Sequence, residues 1–393
     1  MSGAHDPGPA GELTHRLEAL RRRHRVPGLV CLDLGAADPP RIAVAGDACL
    51  EDRRPVQTDT IFRWYSLTKV VTATVVVKLA DEGRLPLAQP ILDVLPEVEQ
   101  LAPSSPVGRW ADVRVEHLLS HGSGLRDQAW HAADWFVDEH ADWPAPRAFL
   151  RDALRRRGRL RHAPGTHYHY SNLGYALLGE LVAEVTQRPF REHVAESLLR
   201  PLGMQRTTWA APGPEASPQP GDAASTAATA DPAPNTANGY VRRWSQMDLL
   251  TRVVGSFRRE RVGAFQRIAP RRLVFSPHGG LWGPMADLAR FLAAHVDACA
   301  GHALPACFPT VESVLRMQQL HRPEGRAASA REGGGHGWKV AHRLAPWPAP
   351  WLSHGGRGPG FTTEMVVLPD QARALAVLGN GSFDAKAVVE GLL

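Results

Sequence analysis

The chain has 393 residues, 44% hydrophobic and 22% charged, a balance that excludes a disordered chain, a collagen and a coiled coil. It is long enough for two lobes and a large core. Its formal net charge is only +5, and its arginines fall in scattered runs such as Arg21 to Arg23 and Arg155 to Arg157. Nucleic-acid binding wants a continuous basic stripe with aromatic platforms, so those runs read as solvated helix faces.

The first 27 residues carry charges and no apolar h-region, so no secretion signal is visible and a cytoplasmic location is expected. Residues 11–25 read as an amphipathic helix with Leu13, Leu17 and Leu20 on one stripe, ended by Pro27-Gly28. Residues 29–35 and 41–45 read as two strands of a hairpin. From Ser66 a helix runs to about Glu82 and stops at Gly83. It is apolar nearly all round, which predicts burial, and Val70 to Val77 is far too short to cross a bilayer. Residues 85–210 look mainly helical, with helices at Val115 to Ser120, Arg147 to Arg157 and Leu173 to Thr186. The stretch 211–238 is rich in Ala, Pro, Ser, Thr and Gly and reads as a surface excursion. A helix follows at 285–296, then short strands at Gly337 to His342, Thr362 to Leu368 and Ala374 to Gly379, then a final helix from about Asp384. Cys31, Cys49, Cys299 and Cys307 form no C-x-x-C pair, and a chain of this size needs no staples, so reduced thiols are expected. Strands at both ends with helices between predict one sheet lobe, 1–90 with 270–393, and an inserted, mainly helical lobe, 91–269. A cleft between lobes is where a site is expected.

Three elements carry chemistry. In Ser66-Leu67-Thr68-Lys69, positions i and i+3 share a helix face, so the amine reaches the hydroxyl. Lysine occurs only at 69, 78, 339 and 386, in a chain that otherwise uses arginine for positive charge. Arginine does not deprotonate in a protein, so a lysine at this position points to a base, provided burial lowers its proton affinity. The same spacing also suits a capping serine beside a snorkelling lysine. In Tyr170-Ser171-Asn172, alternate residues of an extended segment point to one side, so the phenol and the amide share a face. A packed tyrosine beside a capping asparagine is the alternative. Third, His354-Gly355-Gly356-Arg357 sets glycines where a substrate can approach backbone, or simply makes a turn.

In this order the elements resemble those of the serine β-lactamase and penicillin-binding-protein superfamily, and more narrowly its class C β-lactamase-related esterase branch. Leu118 to Leu125, Pro164-Gly165, Gly279-Gly280-Leu281 and Asp59 to Arg63 are similar to further segments of that branch. The resemblance implies an α+β, DD-peptidase-like fold: an antiparallel sheet flanked by helices, with the inserted helical lobe. It implies acylation of Ser66, Lys69 as base, and Tyr170 sharing proton transfer to the leaving group. Asn172 would orient Lys69 or bind substrate. His354, Gly355, Gly356 and Arg357 would form the strand edge beside the carbonyl, with the N–H groups of Ser66 and Arg357 as oxyanion hole. No cofactor or metal is needed, and the expected partner is a small acyl substrate rather than a nucleic acid or a membrane. The third element has histidine where drug-hydrolysing members carry Lys-Thr-Gly, so a fixed cation for a substrate carboxylate is missing. That favours an esterase or transacylase. A β-lactamase or D-alanyl-D-alanine carboxypeptidase, and a non-catalytic binding protein of the same fold, are the rivals.

Other features weigh less. His117 and His121 have a metal-ligand spacing but no H-E-x-x-H around them, so a structural role in the turn is expected. His162, His167 and His169 read as a surface loop near the cleft mouth. Trp130, Trp135 and Trp143 suit either an acyl-pocket wall or core packing. No G-x-S-x-G, phosphate loop or dinucleotide fingerprint occurs.

Overall fold

Eight antiparallel strands build the main sheet of the computed structural model. Their order is Glu332–Gly334, Lys339–Ala341, Trp351–Gly358, Phe361–Leu368, Arg373–Gly379, Gly28–Gly35, Arg41–Cys49 and Arg54–Pro55. The structure describes residues 8–126, 136–137, 146–209, 235–253, 259–269, 272–273, 276–321, 332–341 and 350–393. The two ends of the chain meet at the centre of the sheet, where Leu29 to Gly35 pair with Gly379 to Arg373.

The strand Gly28–Gly35 is buried at every position except Gly35 because both faces of the sheet are covered. Leu29 and Cys31 pack with Leu13, Leu17, Val388 and Val389, under the helices Gly8–His24 and Ala385–Leu392. Val30 and Leu32 join the larger core with Phe291 and Leu292 of the helix Met285–Ala300. A strand sandwiched in this way reads as an apolar run, broken here only by Asp33, which pairs with Arg41 and Arg373. Fully burying each such side chain contributes about 1.5–3 kcal/mol. All four cysteines are free thiols.

The helix Thr68–Asp81 is buried from Thr68 through Val77, between the helix Asn172–Thr186 and the 3₁₀ turn Ser276–His278. A helix with no solvent face can be apolar all round. Among the described residues no helix is long and apolar enough to cross a membrane.

Two features do not stand out in the residue pattern. Trp351–Gly358 is a full strand whose three glycines hide its β character. A second sheet of three strands, Gly239–Arg242, Phe265–Ile268 and Arg259–Val262 in spatial order, lies within the stretch expected to be mainly helical. Its strands are rich in arginine and short of apolar residues, so no alternating pattern stands out. It is anchored by Tyr240, whose N–H donates to the Gly360 carbonyl at 3.2 Å and whose hydroxyl accepts from Leu50 N–H at 2.8 Å. Of the Ala- and Pro-rich stretch, 211–234 lies outside the described residues. Residues 235–238 run beside the strand Ile61–Arg63, with Ala237 N–H donating to Ile61 O at 3.0 Å.

Candidate active site

The approach to Ser66 is a strained turn held from several sides. The strand Ile61–Arg63 pairs with Trp282–Pro284, and Trp64 donates from its indole to the Gly283 carbonyl at 3.0 Å. Tyr65 follows with φ of 48°, a left-handed conformation that costs a non-glycine residue about 1–3 kcal/mol. Its buried ring is fixed by donation from the hydroxyl to the Pro359 carbonyl at 2.8 Å. Glycine is required opposite: a Cβ on Gly356 would collide with the Trp64 carbonyl oxygen, and one on Gly358 with the Tyr65 ring. The strand Trp351–Gly358 therefore lies directly against the turn that carries Ser66.

Ser66 sits in the 3₁₀ turn Tyr65–Leu67 that runs into the helix Thr68–Asp81, and it is half-buried, whereas Lys69 is fully buried. Lys69 Nζ lies 3.2 Å from Ser66 Oγ, 2.7 Å from Asn172 Oδ1 and 2.6 Å from the His278 carbonyl. Tyr170 donates its hydroxyl to Ser66 Oγ at 2.9 Å, and the amine lies 4.8 Å from the Tyr170 ring centre. The amide and the carbonyl oxygens can only accept. Once deprotonated, the amine can keep its two N–H bonds on them and leave its lone pair for the serine proton. This geometry can offer a base to a hydroxyl, the arrangement a serine nucleophile needs.

Tyr170 and Asn172 reach the same centre from alternate positions, as expected. The cap of the following helix is Ser171, whose side chain accepts from Gly174 N–H at 3.0 Å, so Asn172 is left for Lys69. His121 fixes this segment. Its Nδ1 accepts from Ser171 N–H at 3.1 Å, and its ring centre lies 4.5 Å from that of Tyr170 and 5.0 Å from that of Tyr175. His117 Nδ1 accepts from Arg114 N–H at 3.2 Å and caps the helix Val115–Leu119. Both histidines are thus tied to separate backbone amides. Among the described residues no cluster of three His, Cys, Asp or Glu is arranged to hold a metal.

The third element divides between the two faces of its strand. His354 is buried on the Ser66 side, its ring centre 6.3 Å from that of Tyr170. Gly355 faces the other way, toward Glu364. The Arg357 side chain also leaves the site: it is exposed and donates to the Phe383 carbonyl at 3.0 Å. Only the backbone of Arg357 can serve the cleft. The neighbouring strand Lys339–Ala341 pairs with Trp351 to Ser353 and no further. Among the described residues no strand covers that edge from His354 onward. Burial first, and then the charge of Lys69, hold His121, His278 and His354 well below the usual imidazole pKa, so all three are neutral at neutral pH.

His162, His167 and His169 stack, with ring centres 4.1 Å and 4.5 Å from His162, on positions that alternate with Tyr168 and Tyr170. Trp130, Trp135 and Trp143 lie outside the described residues. Sequence reasoning missed the His278 carbonyl and the Nδ1 of His121. A backbone acceptor has no side-chain signature. The signal available was position: His278 immediately precedes Gly279-Gly280-Leu281, and His121 lies within Leu118 to Leu125, both segments already singled out.

Comparison with known proteins agrees over nearly the whole chain. The family model described as Beta-lactamase matches residues 13–391. The chain is 27% identical over 367 residues to penicillin-binding protein 4 of Amycolatopsis lactamdurans, covering 93% of this chain and 84% of that protein. It is 32% identical over 215 residues to esterase EstB of Burkholderia gladioli, covering 52% of this chain and 54% of that one. The octameric penicillin-binding protein homologue from Pyrococcus abyssi superposes with a TM-score of 0.72 at 22% identity, over 97% of this chain and 76% of that one, a likeness of fold alone. With an antiparallel sheet, flanking helices and a match from residue 13 to residue 391, the chain belongs to the Beta-lactamase family of serine hydrolases.

Proposed function

We propose that this protein cleaves or transfers the acyl group of an uncharged carboxylic ester through an acyl-enzyme on Ser66. The observation that carries the reading is the double engagement of Ser66 Oγ, by Lys69 Nζ at 3.2 Å and by the Tyr170 hydroxyl at 2.9 Å. Ser66 Oγ attacks the carbonyl carbon and its proton passes to Lys69. The oxyanion forms against the N–H of Ser66 and the open edge of the strand near Arg357. One such donor typically supplies about 3 kcal/mol of transition-state stabilisation. As the intermediate collapses, the C–O bond to the alcohol breaks, and the leaving oxygen takes its proton through the Tyr170 phenol. Water or a second alcohol then attacks the acyl-enzyme by the same route in reverse.

His354 supports an ester over a peptide or lactam carrying a carboxylate. It occupies the position of a gripping cation, yet it is fully buried and neutral. A neutral imidazole has no net charge to offer an anionic substrate. The 32% identity to EstB is consistent with this reading, whereas the same identity over 160 residues to a D-alanyl-D-alanine-carboxypeptidase of Escherichia coli supports the rival. Assays with p-nitrophenyl butyrate and a chromogenic cephalosporin decide between them. The ester should turn over faster, and a fluorophosphonate should add one adduct to the intact chain that Ser66→Ala abolishes. Faster cephalosporin turnover, or an adduct retained in Ser66→Ala, would defeat the proposal.

A further inference from the structure

The small sheet and its helix concentrate the charge of the molecule. Residues 239–268 hold seven arginines against two acids, an excess equal to the +5 of the whole chain, so the remainder of the protein is balanced. Both acids are engaged. Asp248 is buried, accepting from Trp244 N–H at 2.9 Å and pairing with Arg252 at 3.1 Å. Glu260 pairs with Arg267 at 3.1 Å. Arg242 and Arg261 are exposed and have no ion pair among the described residues.

The same lobe carries apolar surface. Of the six exposed large hydrophobics among the described residues, three fall within seven positions of one another: Trp244, 80% exposed, Leu249, 63%, and Leu250, 47%. The helix Gln246–Val253 explains their direction. Met247 packs on Val241 and Ile268, and Asp248 and Thr251 are buried, so Leu249 and Leu250 fall on the outer face. Trp244 is held outward by its left-handed φ of 64° and by its N–H bond to Asp248, with the Arg252 guanidinium 5.1 Å from the ring centre. Arg261 belongs to the same side: Val241 pairs with Gln266, and Gln266 with Arg261, so these side chains share the sheet face that carries the helix.

We propose that this face docks on an anionic lipid bilayer, with Trp244, Leu249 and Leu250 in the headgroup and acyl boundary and Arg261 over the phosphates. Tryptophan and leucine beside an unpaired arginine, on the lobe that holds the excess positive charge, are the chemistry of interfacial binding. Aliphatic side chains give nothing to stacked bases, which disfavours a nucleic acid. Docking on a surface needs no bilayer-spanning helix.

Co-sedimentation of the full chain with large unilamellar vesicles tests this. Vesicles of phosphatidylcholine with 30% phosphatidylglycerol should pellet the protein at low salt, and pure phosphatidylcholine should not. Arg261→Gln should weaken binding about fivefold, Arg242→Gln, whose side chain leaves the other face of the sheet opposite Phe265, should not, and raised salt should weaken binding further. Leu249→Ser with Leu250→Ser should abolish it at unchanged turnover of a soluble ester, which reports that the variant is folded. No pelleting with anionic vesicles, or equal pelleting of the double variant, overturns the proposal. So does a self-associated chain that the double variant disperses, which would make the face a contact between copies. Tighter binding to a DNA duplex than to the vesicles also overturns it, in favour of a nucleic acid.

Discussion

Two sets of buried histidines flank the helix Thr68–Asp81, and they differ in what their nitrogens do. On the Ser66 side, His121 accepts a backbone N–H and orders the segment that presents Tyr170 and Asn172. Elsewhere in the core, His295 is ringed by Phe291, Phe308 and Trp338, with centres at 5.1, 5.4 and 5.2 Å. Neither nitrogen of His295 meets a polar partner among the described residues, and the same holds for His336. Gly337 ties this cluster to the helix, since a Cβ there would lie 2.8 Å from that of Ala73. Burial neutralises both sets, pushing His295 down to about 3. Burial alone therefore does not make a histidine part of a site. His121 differs in bonding the backbone between Tyr170 and Asn172, the two residues that reach Ser66 and Lys69.

Lys69→Arg tests that view most severely. It keeps charge and bulk but removes a base, and ester turnover should fall roughly 10³-fold. A variant that keeps a tenth of wild-type kcat would show that Lys69 only fills its pocket. His121→Phe comes next. It preserves ring contact with Tyr170 and Tyr175 but leaves Ser171 N–H unbonded. We expect kcat to drop about tenfold with KM nearly unchanged, as a misplaced Tyr170 would produce. A lower melting temperature at full kcat would make the residue structural only.

The smallest effect belongs to His295→Leu. Activity should stay at wild-type level, and stability at pH 7 should rise by about 1–2 kcal/mol because a buried unbonded polar group is gone. The pH dependence has a definite sign. The folded pKa near 3 lies below the unfolded value near 6.5. Protons thus favour the unfolded chain between those values, and wild-type stability falls as pH drops through that window. The advantage of the variant should grow there by roughly 1.4 kcal/mol per pH unit, read from urea melts. A difference that does not change with pH would mean that His295 is bonded after all.

The legible parts of the site were those carried by side-chain type and period. The i, i+3 spacing of Ser66 and Lys69 and the alternation of Tyr170 and Asn172 each put two groups on one face, and the fold brings both pairs to one hydroxyl. The pattern at 29–35 likewise announced a strand and the apolar helix around 70–77 its burial, whereas the cover on both faces of the strand was not read. Backbone conformation was not legible. Nothing in the letters marks Tyr65 or His121 as left-handed, or the His278 carbonyl as an acceptor. The three-stranded sheet was hidden because its outer positions are arginines rather than apolar residues.

The two fixed acceptors of Lys69 lie 103 and 209 residues away in the chain. The amine gains its orientation only after the segments bearing Asn172 and His278 have both settled on the helix. On the proposed acyl-enzyme reading, competence is consequently a late event in folding. A newly made chain with its core collapsed but one of these segments still undocked should then be silent, so recovery of ester turnover during refolding would report the last long-range assembly step.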